Sequence, residues 1–464
     1  MTTWKVYIRG DHWHRLHEHL HGSPGEHGAV LLCGVARGVD HERLLVHEVH
    51  IAQDGSDYTY GDGVYRLNGA FATRQALRAR SEALVYIAVH PHGGFDSVEF
   101  SGVDLRSQHN STKPLLAASG KDRVGWLVTA PAAANGVIRT KDGEEPIAEV
   151  VVLDEYQRLV RTPRPANSTI VRTEPRFARQ ALIYGDVGQR MFAGATVGIV
   201  GLGGGGAVLN DMLSSLGVGH LVHIDPERVD ISNLPRLIGA TRWDALEPIS
   251  RWLPEKLRER LSRSKVAVAK RVARRNNPKI RLTTLRRAAN HNDAVEALLK
   301  CDYIFLAADT AGARLLVNAV SAQYLIPMTQ IGAKVRLDDE GTVKDVYSVS
   351  RVVGRAPGCM WCNGLINTTR LAEEAVSVEQ RADQQYVQGV ANPSVKSLNV
   401  IGAAWAVEDF RNWFTGLRSA GQLYTTAHPH EPRVTSSIPR HDAECPFCTD
   451  ALGRGATAAL PGVT

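Results

Sequence analysis

The chain reads as an α+β domain followed by a doubly wound α/β domain, and three observations lead there. Over the first 155 or so residues, short β-rich runs (AVLLCGV, RLLVHEVHIA, ALVYIAVH, VGWLVTA, IAEVVVLDEY) are punctuated by Gly, Pro and Asp signals. From Arg176 the texture changes, and apolar strands (ATVGIVGLG, HLVHID, YIFLAAD, IPMTQIG) alternate with helix-length segments, the mark of βαβ units on a parallel sheet. Between the two, RTPRPANSTIVRTEP is rich in Pro, Thr and Arg and has little periodicity. The expected division is a first domain at 1–158, a linker at 159–175, a second domain at 176–450 and a frayed tail at 451–464.

Composition narrows the class. Of 464 residues, 44% are apolar and 22% charged, which excludes a disordered chain, a collagen-like fibre and a disulfide-stapled mini-protein. No run approaches the roughly 18 apolar residues of a membrane span, and MTTWKVYIRGDHWH has no apolar core of a secretory signal. A cytoplasmic protein without a membrane partner is expected. Lys and Arg exceed Asp and Glu, 54 against 48, for a net charge of +6 that suits an anionic partner such as a nucleotide. The most basic run, Lys256–Arg287, carries few interleaved aromatics and reads as a solvated helix face, so nucleic acid is not expected. Six cysteines in this length do not make a disulfide framework. Cys33 and Cys301 sit beside apolar strands, as buried inert thiols do.

Taken in order, the first cluster of interest is HWHRLHEHLHG. Of His12, His14, His17, His19 and His21, only His14, His17 and His21 share a helical face. No acidic or Cys partner completes a site in this stretch, which predicts an exposed helix. A second helix is expected around Gly69–Ser81. The strand ALVYIAVH then delivers His90 and His92, which at i and i+2 project to one side, and Ser101 and Asp104 follow. Three N/O ligands and an open position are what catalytic zinc takes. Zinc lowers the pKa of its water toward about 7, and a carboxylate such as Glu26, heading a strand of the same domain, can take the proton. Glu26, His90-x-His92 and Ser101-x-x-Asp104 together resemble the JAMM (JAB/MPN-plus) metalloprotease family, whose members cleave after the C-terminal glycine of ubiquitin-like proteins. The resemblance implies that His90, His92 and Asp104 bind zinc, Glu26 is the general base, and Ser101 polarises the carbonyl or stabilises the oxyanion. The sequence HPHGG departs from the family pattern of a small residue between the histidines and a proline after them.

ATVGIVGLGGGGAVLNDMLSSLGVGHLVHID reads as strand, Gly-rich turn, helix and strand. Gly201, Gly203, Gly204 and Gly206 let the backbone approach phosphate at a helix N-terminus. Asp225 closes the next strand about 20 residues on, where a carboxylate can hold ribose hydroxyls. Asn233 and Arg236 follow in DPERVDISNLPR, Lys265 stands early on a helix, and Asp309 ends an apolar strand in AADT. Cations with a metal-binding Asp suit attack at an α-phosphate, where charge builds on the phosphoryl oxygens. A nicotinamide oxidoreductase, the enzyme alternative for a Gly-rich turn, needs hydride geometry instead.

From RFARQ through GLGGGG, DPERVDISNLPR, Lys265 and AADT, roughly residues 176–450 resemble the ThiF/MoeB/ubiquitin-activating superfamily, with a Rossmann-like fold. That resemblance implies adenylation of the C-terminal glycine of a ubiquitin-fold protein by Mg-ATP, with release of pyrophosphate. Asp225 would bind ribose, Asn233, Arg236 and Lys265 phosphates, and Asp309 Mg²⁺. Arg179 would reach into a partner subunit's ATP site, implying a homodimer. Glu227 stands where the family usually has a second Asp, Leu237 where Gln follows the Arg, and about 28 residues separate Arg236 from Lys265.

Cys359-x-x-Cys362 and Cys445-x-x-Cys448 lie about 82 residues apart, the pattern of a closed structural zinc held by four thiolates. That leaves Cys33 and Cys301, neither within Asn367–Gln388, near where ubiquitin-activating relatives carry a thioester cysteine. The chain is expected to lack a transthiolation nucleophile and to pass its acyl-adenylate to a sulfur donor, an amine or a cysteine on a separate protein. The expected whole is a JAMM-like α+β peptidase fused to a ThiF-like adenylyltransferase, acting on one ubiquitin-like or sulfur-carrier protein. A bacterial conjugation pathway with its own conjugating enzyme is preferred, because a deconjugating domain is most useful there. Sulfur transfer for cofactor or amino-acid biosynthesis is the alternative, and a scaffold with decayed domains is the alternative of another class.

Overall fold

The computed structural model describes residues 3–23, 27–61, 64–165, 173–338, 340, 342–375, 395–431 and 433–463. The chain divides into two compact units. Unit 1 comprises Met1–Ile170 with Ala322–Leu325 and Asp450–Ala459, and unit 2 comprises Val171–Ser321 with Ile326–Thr449 and Leu460–Thr464.

Unit 1 runs β1 (Trp4–Arg9), α1 (Gly10–His21), β2 (Ala29–Arg37), β3 (Glu42–Ile51), the small hairpin β4 (Tyr58–Gly61) and β5 (Val64–Leu67), then α2 (Gly69–Ser81), β6 (Val85–Pro91) and α3 (Gly102–Ser119). It ends in β7 (Arg123–Thr129), β8 (Ala134–Thr140), β9 (Glu144–Leu153) and β10 (Arg158–Arg161). Strands β1-β3-β2-β6-β7-β8-β9 form a seven-stranded ring, closed where β9 pairs back to β1 in parallel, and β10 adds to β9. A mixed α/β barrel thus stands where the sequence predicts an α+β layer. Alternate residues along each strand serve opposite faces. Leu31, Cys33, Ile87 and Val89 pack with Trp13, Leu16 and Leu20 of α1. Val30, Leu32 and Tyr86 pack with Phe71 of α2 and with Leu115 and Leu116 of α3.

Three expectations for this region need correction. The histidine-rich helix α1 is not simply exposed: its apolar stripe Trp13, Leu16 and Leu20 is buried, and His14 has an acidic partner after all, Asp154 Oδ2 at 2.7 Å from its Nε2. That partner lies 140 positions away in sequence, beyond any local reading. The start of the expected linker is strand, because β10 pairs with β9, while 166–172 lie outside the described residues. The residues after Asp450 are hydrogen-bonded rather than frayed: Gly455 bridges to Val35, the His47 ring bonds Leu452 O, and Gln323 Nε2 donates to Gly455 O at 2.7 Å.

Unit 2 begins with α4 (Ala178–Gly194), β11 (Thr196–Val200), α5 (Gly204–Leu216), β12 (His220–Ile224), α6 (Glu255–Leu261) and α7 (Lys265–Asn276). β13 (Arg281–Leu285), α8 (Asn292–Leu298), β14 (Tyr303–Leu306), α9 (Ala311–Gln323), β15 (Met328–Leu337) and β16 (Val343–Val353) follow. It closes with α10 (Thr368–Ala375), α11 (Lys396–Phe414), β17 (Tyr424–His428) and β18 (Arg433–Ser437). The sheet order is β13-β12-β11-β14-β15-β16-β17-β18. Its first five strands are parallel, as the alternation of strand and helix predicts, and the last three run antiparallel. Only five residues separate β15 from β16, too few for the crossover that a parallel pair needs. The insertion Ile238–Ser264 contributes α6 and seats Ala245 in a small cluster with Val268 of α7 and Leu237.

Arg355, fully buried just after β16, ties this sheet to α11. Its Nη2 donates to Asp409 Oδ2 at 2.7 Å and to Tyr303 Oη at 2.9 Å, and the guanidinium stacks 4.4 Å from the Trp413 ring centroid. Burial alone would disfavour its charge, but Asp409 and Tyr303 hold the pKa above the usual arginine value. Asp409→Ala leaves that cation buried without its counter-ion, so a loss of about 3 kcal/mol is expected in denaturant unfolding. In unit 1, Leu16→Ala is expected to cost about 2–5 kcal/mol through the cavity it leaves.

Candidate functional site

The Gly-rich turn between β11 and α5 builds one wall of a 450 Å³ pocket at the carboxyl ends of β11, β12 and β14. Gly201 is held at φ +88°, where a side chain would strain the backbone. A Cβ on Gly206 would lie 1.8 Å from Gly201 O, whereas one on Gly203 meets nothing within 4 Å. Residues 203–206 carry no side chains and the turn is open at Gly203, so a phosphate can come close to the helix N–H groups there. Asp225, Asn233, Arg236, Lys265 and Asp309 all line the same pocket, so the dispersed sequence signals converge on one place.

Their local bonds explain their poses. Asp225 accepts from Leu202 N at 2.6 Å and from Glu227 N at 2.8 Å, and burial pushes its pKa up while Lys265 and those N–H groups oppose the rise. Asn233 caps its own turn, accepting from Asp230 N at 3.2 Å, and Arg236 Nη1 donates to Ser232 O at 2.8 Å. Lys265, 7% exposed, is ion-paired with Glu227, the residue that departs from the resembled pattern. Asp309 is an exposed carboxylate at the pocket mouth. Arg179 lies exposed near the start of α4 and is not among the pocket-lining residues.

The pocket also holds residues that the sequence reading missed. Arg314 follows Asp309 by five positions on the first turns of α9, a spacing that could have flagged it. Asn399 of α11 comes so near Gly204 that a Cβ there would lie 2.3 Å from its Nδ2, and nothing local in the sequence announces it. Glu374 of α10 accepts from Ala311 N and Gly312 N, each at 2.9 Å, and so caps α9 beside Asp309. The thioester segment considered in the sequence, Asn367–Gln388, lies mostly outside the described residues.

The two CxxC pairs come together. Cys359, Cys362, Cys445 and Cys448 are buried, with Sγ–Sγ separations of 3.7 Å (359–362), 3.6 Å (359–445) and 3.5 Å (362–448). A tetrahedron with metal–sulfur bonds of about 2.3 Å has edges close to these, so the donor set suits structural zinc. Hydrogen bonding from Cys448, set against burial, lowers the pKa of the Cys359 thiol below its ordinary value. Cys33 and Cys301 are each 0% exposed, and none of the six cysteines lines the nucleotide-type pocket.

In unit 1 the second sequence constellation also assembles. β6 runs parallel to β7 and carries His90 at its end, and Ser101 caps α3, whose first turn holds Asp104. Nε2 of His90 lies 3.1 Å from Asp104 Oδ1, Nε2 of His92 lies 3.1 Å from Asp104 Oδ2, and the two Nε2 atoms are 3.2 Å apart. His92 Nδ1 sits 2.8 Å from Glu99 O, which fixes that nitrogen as the donor and leaves Nε2 its lone pair. Burial alone would raise the Asp104 carboxyl, but bonds from His90 and Ser101 hold it well below the usual carboxylate range. Three converging donors of this kind fit a zinc ion with an open coordination position. Ser101 is engaged as the helix cap, its Oγ donating to Asp104 Oδ2 at 2.7 Å. Glu26, the expected base, lies outside the described residues.

Gly206→Ala is expected to cost about 1–3 kcal/mol by forcing the turn open, with Gly203→Ala near neutral in thermal unfolding. Metal analysis is expected to find two zinc ions per chain. Cys362→Ser should remove one and lower the unfolding temperature. His90→Ala should remove the other and leave that temperature nearly unchanged.

Comparison with known proteins places the second unit in a lineage. The model of the ThiF family matches residues 177–447. The adenylyltransferase and sulfurtransferase MOCS3 of Drosophila virilis is 28% identical over 170 residues, which is 36% of this chain and 34% of the relative. The sulfur carrier protein adenylyltransferase of Thermus thermophilus is likewise 28% identical over 170 residues, 36% of this chain and 56% of its own. The chain therefore spans between about a third and just over half of the length of these curated relatives. Among solved structures, Escherichia coli MccB with ATP aligns at 17% identity over 60% of this chain and 75% of its own, with a TM-score of 0.43, too loose a likeness to argue from. The match to residues 177–447 covers more than half of the sequence, and the chain belongs to the ThiF family.

Proposed function

We propose that unit 2 adenylates the C-terminal carboxylate of a ubiquitin-like or sulfur-carrier protein. The observation that carries this reading is the convergence of the bare glycine turn, Asp225, Asn233, Arg236, Lys265 and Asp309 on one pocket in a ThiF-family chain. ATP is a substrate: a carboxylate oxygen of the carrier bonds to the α-phosphorus as the bond to pyrophosphate breaks, and pyrophosphate leaves with the electron pair. Gly201, Gly203, Gly204 and Gly206 admit the phosphates to the N-terminus of α5. Asp225 holds ribose, and Asn233, Arg236 and Lys265 take the charge that builds on the phosphoryl oxygens. For Lys265 this means exchanging Glu227 for phosphate. Asp309 would hold Mg²⁺, which neutralises phosphate charge when bound. Arg179 serves the pocket of a second copy, making the working form a homodimer.

With every cysteine buried, the activated carboxyl passes to an acceptor outside this chain. Two routes are open to it. A bacterial conjugation pathway is favoured by the metal triad of unit 1, read as a JAMM-type peptidase that trims or releases the same carrier. There His90, His92 and Asp104 would hold zinc, which would supply an activated water; Glu26 would be the general base, and Ser101 would polarise the carbonyl or stabilise the oxyanion. Sulfur transfer is favoured by the similarity to a sulfur carrier protein adenylyltransferase.

Pyrophosphate exchange with Mg-ATP and each candidate carrier tests the first activity. Asp309→Ala should lower exchange by at least about a hundredfold, and His90→Ala should leave it unchanged. Absence of exchange with every processed carrier would end the activating-enzyme reading. A thiol-sensitive adduct on this chain in intact mass would end the claim of an external acceptor.

A further inference from the structure

Unit 1 carries a cleft of 220 Å³ beside α3, bordered by Phe100, Leu105, Gln108, Val137 and Arg139. Gln108 is 1% exposed, yet neither its Nε2 nor its Oε1 has a hydrogen-bond partner among the described residues. On the same cleft, Arg139 gives Nη2 to Glu144 at 3.0 Å while its buried Nε has no such partner. A buried carboxamide unpaired at both ends is destabilising, and a leucine would fill the same space without that cost. The side chain therefore offers one donor and one acceptor, side by side, to something that enters the cleft.

One residue of an extended peptide presents its own N–H and C=O on the same edge, the complement of a carboxamide. The rim suits an aliphatic side chain, since Phe100 and Val137 are half-buried and Leu105 is 47% exposed. Gln108 follows Asp104 by four residues on α3, so the two share a face about 6 Å apart along the axis. We propose that this cleft is a peptide subsite. Gln108 pairs in both directions with the N–H and C=O of one extended residue, and Phe100, Leu105 and Val137 cover the adjoining aliphatic side chain. Its service to the metal triad rests on the peptidase reading above; its binding chemistry does not.

The test uses the full-length zinc-loaded chain and a fluorescein-labelled Ser-Ala-Leu-Gly-Gly peptide ending in an aminomethylcoumarin amide, followed by anisotropy and by coumarin release. Replacing the leucine amide nitrogen by an ester oxygen removes the donor. It should weaken binding about tenfold, as should Gln108→Leu, with no further loss when the two are combined. Gln108→Leu should leave the unfolding temperature unchanged or raised, since it removes an unpaired polar group. Equal binding of the amide and ester peptides, or no binding to the native chain, would overturn the subsite. A Gln108→Leu chain that unfolds at lower temperature in step with its loss of binding would also overturn it, assigning Gln108 to water or to folding. Binding that follows Gln108 without any coumarin release would sustain the subsite and remove the peptidase reading instead.

Discussion

The close approach of Gly206 to the carbonyl of Gly201 is the constraint on which unit 2 turns. With no room for a side chain there, β11 can pass into α5 within three residues, and the helix axis points its N–H groups at the strand ends. Everything else in the pocket is placed relative to that turn. Asp225 accepts from Leu202 N inside it, and Asn399 and Arg236 both close over Gly204. Asp225, Arg236 and Asn399, drawn from three separate stretches of chain, all pack on that one turn.

The two constellations share a design although their sheets differ. In each, a central strand ends in the chemistry: His90 at the end of β6, Asp309 three residues past β14. In each, a helix N-terminus stands beside it, α3 capped by Ser101 and α5 left uncapped. The difference in capping matters. Ser101 and Asp104 satisfy their own helix end with a carboxylate, which suits a cation, whereas the uncapped glycine end of α5 suits an anion. Charge preference follows from whether a side chain occupies the cap.

Much of this was legible in the sequence because it is local. The glycine spacing, the His90-x-His92 strand end and the CxxC pairs each lie within a few residues, and the helix at Gly69–Ser81 follows from its own composition. What was not legible depends on distant pairing. Closure of the barrel joins β1 to β9, and no periodicity in Trp4–Arg9 reveals its two neighbours. The antiparallel half of the second sheet, the half-buried face of α1 and the Glu374 cap on α9 arise likewise from tertiary contacts. Gln108 is the instructive case. A glutamine one turn past Asp104 looks like an ordinary surface residue, and only burial without partners sets it apart.

The hydrogen bonds of residues 450–459 bear on how the protein comes into being. His47 and Leu452 are 405 positions apart, and Val35 waits for Gly455. On the ribosome, the amino-terminal barrel emerges long before the segment that bridges β2 has been translated. Until then, its backbone groups at Val35 and the ring of His47 face solvent or a chaperone. Such long-range closure slows the final folding step. A fragment cut after the barrel would carry an unfinished surface, exposed at the place where the native chain lays its late-made segment.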